Sequence, residues 1–129
     1  MSRSEVRAYL QKAGEHLTEA HSALEDKSLD SAGLLAVHAV ISGADAVTGY
    51  HGRCRSTSPD HRDTVRILEE VVPQDIKGRA EQIHRFRRIV GKKNLVAYEG
   101  CRLSVKEASH LLSQAERFLA WVREIVPAL

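Results

Sequence analysis

His38, Ser42 and Asp45 recur at i, i+4 and i+7, the spacing that lines side chains along one side of an α-helix. They interrupt a stretch, 32–47, otherwise made of apolar and small residues. Polar groups inside such a helix need partners, because burying an unpaired one is costly. Two readings stand side by side. In one, the three residues form a wall of a polar cleft between helices. In the other, they form a structural hydrogen-bond network in which Asp45 pairs with an arginine of the fourth helix. They project from a single rod, so they cannot converge as a nucleophile, base and orienting acid must.

The second dense set is basic: Arg85, Arg87, Arg88, Lys92 and Lys93, followed by Asn94. Total charge is nearly balanced, with 19 Lys/Arg against 17 Asp/Glu, but its distribution is not. Residues 1–50 carry 4 Lys/Arg and 7 Asp/Glu, residues 51–93 carry 11 and 6, and residues 94–129 carry 4 and 4. Clustered cations raise the local concentration of phosphate-bearing partners, although a solvated helix face has the same composition. Cations at a helix C-terminus are also favoured by the helix dipole alone. Cys54 and Cys101 make neither a disulfide framework nor a zinc site. The seven His show no ligand spacing, and no phosphate-loop, dinucleotide or nucleophile-elbow motif occurs. No metal and no cofactor are expected.

The elements that must carry these residues are helices. Val6, Leu10, Ala13, Leu17, Ala20 and Leu24 recur at alternating four- and three-residue intervals, which predicts a helix over 5–24. Ser2 and Glu5 have capping-box spacing there, and Lys12, Glu15 and Glu19 fall on the opposite face. A helix over 31–50 is apolar almost all round, as central or interface helices are. Ser58-Pro59 opens a short third helix over 60–71, stopped by Pro73. A fourth runs over 75–98, with Gly91 as a bend and Gly100 as its stop. Ser104 and Glu107 cap a fifth, whose stripe is Ala108, Leu111, Leu112, Ala115, Phe118, Leu119, Val122 and Ile125. No period-two alternation is present, so the fold class is all-α. The expected architecture is an up-and-down bundle of five helices forming one domain over 1–129. Alternating helix directions would end the second and fourth helices at one pole, gathering Tyr50, His51, Arg53 and Arg55 beside Lys92, Lys93 and Tyr98. Cys54 and Cys101 would meet there too, as free thiols in a reducing cytoplasm.

The segment Arg87-Arg88-Ile89-Val90-Gly91-Lys92-Lys93-Asn94-Leu95-Val96-Ala97-Tyr98 resembles the second half of HEPN domains. So do Leu103-Ser104-x-x-Glu107-Ala108 and Ala115-Glu116-Arg117-Phe118-Leu119. Ala36-Val37-His38-Ala39 and Ala44-Asp45-Ala46 are similar to the counterpart helix. The resemblance implies a helical bundle that usually dimerises. It implies either a metal-independent RNase of toxin–antitoxin or defence systems, or a module that binds nucleotides or partners a nucleotidyltransferase. The family's ribonuclease motif is Arg, a polar residue, three variable residues and His. Here that window keeps Asn94 but has Lys93 for the Arg and Tyr98 for the His. Lysine lacks the planar fork of arginine, and tyrosine titrates near pH 10, too high for a general base at neutral pH.

The expectation is therefore a non-catalytic HEPN-like binding domain for a nucleotide or RNA phosphate, or for a protein partner such as a nucleotidyltransferase. Its ligand contacts would be Arg87, Arg88, Lys93, Asn94 and Tyr98, with Asp45 ordering the basic side chains. The alternative is a degenerate RNase using Lys93, Asn94 and Tyr98. In either case Lys93, Asn94 and Tyr98 would share one face of the last two turns of the fourth helix, turned toward a cleft. A homodimer is expected from the apolarity of the second helix. No signal segment or bilayer-length apolar run is evident, which predicts a cytoplasmic chain with no membrane contact.

Overall fold

A computed structural model describes residues 2–52, 61–93 and 102–127. Among them are five helices and no strand: α1 (Arg3–Glu25), α2 (Leu29–His51), α3 (His61–Val71), α4 (Arg79–Val90) and α5 (Val105–Ile125). The Ser2 side chain caps α1 by accepting from the Glu5 amide at 3.2 Å. At α5 both bonds of the capping box form, Glu107 N to Ser104 Oγ at 3.0 Å and Ser104 N to Glu107 Oε1 at 2.9 Å. Four orphan amides at a helix start are thereby partly satisfied by local sequence alone.

α1 and α2 form an antiparallel hairpin joined through Asp26, Lys27 and Ser28, with Lys27 in the left-handed region at φ 60°. Their seam is built from small residues, among them Ala13 and Ala20 on α1 and Ala36 and Ala39 on α2, all buried. Small residues let two helix axes approach closely. α2 is the core helix. By length and composition it would also suffice to cross a membrane, yet 72% of its most apolar window is buried within the bundle.

The helix directions follow from four contacts. Asp30 Oδ1 accepts from the Leu103 amide at 2.8 Å, and at the other end His51 Nε2 lies 3.0 Å from the Ile125 carbonyl. α2 and α5 are therefore parallel. α4 opposes α5: Trp121 Nε1 donates to Lys77 O at 3.1 Å, while Arg85 Nε donates to Gln114 Oε1 at 2.7 Å. α2 and α4 thus run antiparallel and do not end at one pole. The reason is α3, whose last residue, Val71, packs on Gly52 at the end of α2. The chain leaves α3 at the pole where α2 ends, so α4 starts there. Tyr50 and His51 accordingly lie at the opposite end of the bundle from Lys92 and Lys93. Arg53, Arg55, Cys54, Cys101 and Tyr98 fall outside the described residues.

α4 is shorter than its periodicity predicts. Gly78, at φ 79°, takes a conformation that a helix interior does not contain, so the segment before it is a turn. At the other end Gly91 is the cap and not a bend, and its amide bonds Arg87 O at 3.0 Å. Lys93 therefore lies beyond α4, not on its last turns. Phe86, Phe118 and Trp121 stack in series where α4 meets α5, with centroids 5.3 and 5.8 Å apart.

Candidate functional site

The residues of α1 and α2 that flank the small-residue seam open into a cleft of about 490 Å³. Tyr9, Lys12 and His16 come from α1, and His38, Ile41, Ser42 and Asp45 from α2. On each helix the spacing is close to whole turns, so each set forms one wall. The antiparallel pairing sets His16 against His38, with ring centroids 5.9 Å apart and planes inclined by 40°. It puts Tyr9 toward Asp45 at the other end.

The electrostatics of the His16 end are unusual. His16 Nδ1 is buried and has no hydrogen-bond partner among the described residues. Buried polar atoms in folded proteins are nearly always paired, which singles this atom out among the described side chains. Burial, then the neighbouring charges of His16, Lys93 and Lys12, hold the His38 imidazole below its ordinary value of 6.5. His38 therefore holds a proton less readily than a free imidazole does. The Lys93 charge reaches His38 although Lys93 follows α4 in sequence and does not line the cleft. Asp45, seven residues from His38, sits about 10 Å away along the helix at 1.5 Å per residue.

The expected ligand contacts do not converge as a set. Asp45 lines this cleft and Lys93 acts on it. Arg87 pairs with Glu69 at 2.9 Å and lines a separate cleft of about 350 Å³ between α3 and α4. Arg88 faces a third groove, between α4 and α5, with Arg85, Lys92, His110 and Gln114. Arg85 there is engaged with Gln114, Gln82 and Glu81. Asn94 and Tyr98 lie outside the described residues. α4 therefore brings its arginines to two surfaces, neither of which is the α1/α2 cleft.

Sequence reasoning missed Tyr9, Lys12 and His16. The signal was present: the three recur at i, i+3 and i+7 beside the stripe of Val6, Ala13 and Ala20. A helical wheel places Lys12 outside that stripe, and it is indeed exposed. Only the position of α2 shows that this border of α1 is a cleft rim.

The sequence matches no protein-family model and no curated protein.

Proposed function

We propose that the α1/α2 cleft binds a phosphate group, and that the chain is a non-catalytic, HEPN-like cytoplasmic binding domain for a nucleotide or an RNA phosphate. The observation that carries this reading is the meeting of Lys12, His16 and His38 at one end of the cleft, where His16 Nδ1 has no hydrogen-bond partner among the described residues. Ammonium groups beside a part-buried wall interact with an anion far more strongly than they do in open water. A phosphate oxygen is also an acceptor for whichever ring nitrogen of each imidazole carries a proton.

The homodimer and the nucleotidyltransferase partner rest on the HEPN resemblance. The apolarity of α2 no longer argues for a second copy, because its own chain covers it. Among the described residues, Tyr50 and Val105 are the exposed large hydrophobics.

Calorimetric titration of AMP at low ionic strength tests the reading. AMP is expected to bind saturably, and Lys12→Ala or Lys93→Ala to weaken it about tenfold each, the worth of one charge-assisted contact. Arg88→Ala should leave affinity unchanged. Ligand-induced NMR shifts in the α4/α5 groove in place of the cleft would refute the assignment. Metal-free cleavage of RNA that Tyr98→Phe abolishes would replace it with the degenerate RNase.

A further inference from the structure

The α1/α2 cleft has two unlike ends, and the inference drawn from them rests on the phosphate reading above. We infer that a nucleotide lies along the cleft in one direction, phosphate at the His16–His38 end and base at Asp45, and that the Asp45 carboxylate selects guanine.

The order of the lining residues gives the direction. His16 of α1 faces His38 of α2, with ring centroids 5.9 Å apart. The two helices are antiparallel, so one turn back along α1 is one turn on along α2, and Lys12 stands across from Ser42. A further step of three residues sets Tyr9 across from Asp45. The cleft thus runs over about 10 Å, at 1.5 Å per residue, from two imidazoles to a carboxylate. Lys12 lies one turn in from the rings on one wall and Ile41 on the other. Among the described residues that line the cleft, Asp45 alone is acidic. A phosphate seated at the Asp45 end would meet a like charge, whereas one at the ring pair stands about a Debye length from it at 0.1 M salt. The volume of about 490 Å³ lies within the range of pockets that hold a small organic ligand.

Asp45 decides the other end. It is 9% exposed, on the most buried stretch of α2, so a group that reaches it leaves water behind and has to match it. An ionised carboxylate only accepts hydrogen bonds. Guanine carries two adjacent donors on its Watson–Crick edge, N1–H and the N2 amino group, and these meet the two oxygens of a carboxylate as a parallel pair. Adenine sets the acceptor N1 beside its N6 amino group, and cytosine the acceptor N3 beside its N4 amino group, so each turns a lone pair toward the negative charge. Uracil has one donor flanked by two carbonyl oxygens. Asp45 keeps a contact of its own within the chain. With about four acceptor positions on two oxygens, a carboxylate serves such a contact and a ligand together. The α4 arginines do not compete for it, since they face other surfaces. Tyr9 and Ile41 offer apolar surface on which a base ring can lie.

GMP, IMP and AMP share the ribose phosphate and differ in the edge that would meet Asp45. Calorimetric titration of each at pH 7 and fixed low ionic strength should give GMP an affinity at least about tenfold above that of AMP, the worth of a bidentate base contact. IMP, which keeps N1–H and lacks the amino group, should fall between them. Asp45→Asn keeps the shape of the side chain and puts a donor beside an acceptor, the complement of the adenine edge. That variant, with helical content checked by circular dichroism, should lose most of the GMP preference while AMP binds at least as well as before. Should it not fold, the parent series decides alone. AMP or IMP binding as tightly as GMP, or a full GMP preference retained by Asp45→Asn, would overturn this inference, while NMR shifts at His16 and His38 on nucleotide addition would leave the phosphate cleft in place. Absence of those shifts with all three nucleotides would overturn both.

Discussion

Gly43 is the position where a single methyl group tests the packing that holds the site's core helix. A Cβ built there would lie 2.5 Å from Leu119 Cδ2, 3.6 Å from Val122 Cγ2 and 3.8 Å from Phe118 Cε2. Alanine in a helix interior is favoured over glycine by about 0.8–1.0 kcal/mol. Overpacking a filled core costs about 1–3 kcal/mol. Leu119 is 2% exposed and Phe118 and Val122 are fully buried, so the leucine tip has to shift within a buried cluster and not into solvent. The overpacking cost exceeds the propensity gain, and Gly43→Ala should lose about 1 kcal/mol net, with about 2 as the upper bound. For a chain this size that is about 3–6 °C in Tm. Gly14→Ala on α1 is the internal control. Its Cβ meets Arg123 Nη2 at 3.5 Å, an ordinary contact, so the same chemical change should stabilise by about 0.5–1 kcal/mol. Chemical denaturation monitored by circular dichroism reads both. In the double variant Gly43→Ala/Leu119→Ala the two changes should couple favourably, the new methyl occupying part of the space the leucine vacates. A Gly43→Ala protein at least as stable as the parent would refute the α2/α5 packing described here.

Two further predictions concern pH and a long-range tie. Because the folded state holds His38 below its ordinary 6.5, stability should be full above that value and decline as pH falls from it through the folded pKa. His38→Gln should flatten this part of the urea-midpoint profile between pH 5 and 8, and a parent stability that rises over the same fall in pH would contradict the burial assigned to the ring. The Glu107 capping box, which lowers that carboxyl from 4.5, acts only at more acid pH and is separable. Asp30→Ala should cost about 1–2 kcal/mol, since it removes the acceptor for the Leu103 amide and the polar tie between the starts of α2 and α5 that this bond makes; a midpoint unchanged from the parent would show that water replaces the carboxylate at no cost.

The elements were largely legible because their determinants are local. Ser104 and Glu107 define the start of α5 within four residues, and the α1 stripe is a property of periodicity that any amphipathic helix must show. Directions were not legible. They depend on where α3 lands, which is set by Val71 against Gly52, a contact no spacing rule contains. The limits of α4 failed for a related reason. Ile76, Ala80, Ile83, Phe86 and Val90 keep helical spacing through a segment that Gly78 has already broken with a positive φ. A periodic stripe says which side would face the core if a helix were present, and glycine decides whether it is.

The site was half legible, and the division is physical. His38, Ser42 and Asp45 stood out because they are polar within an apolar helix, so α2 alone betrayed its wall. Lys12 and His16 sit on a helix whose polar face is ordinary, and nothing marks them until α2 is placed beside it. The α4 arginines attracted attention by density, but density is a weak guide to a binding site. Arg85, Arg79 and Arg87 already hold side chains, carbonyls or Glu69, and an exposed ion pair in water contributes little. The α1/α2 seam supplies what density lacks. Its alanines bring two helices close enough to hold the imidazole centroids 5.9 Å apart and to bury one nitrogen that has no partner among the described residues. The same close packing that makes α2 the core thereby gathers Lys12 and two imidazoles at one end of its polar face, with Asp45 at the other. That gathering, more than the number of basic residues in the chain, is why the phosphate reading is proposed for this cleft and not for the α4 arginines.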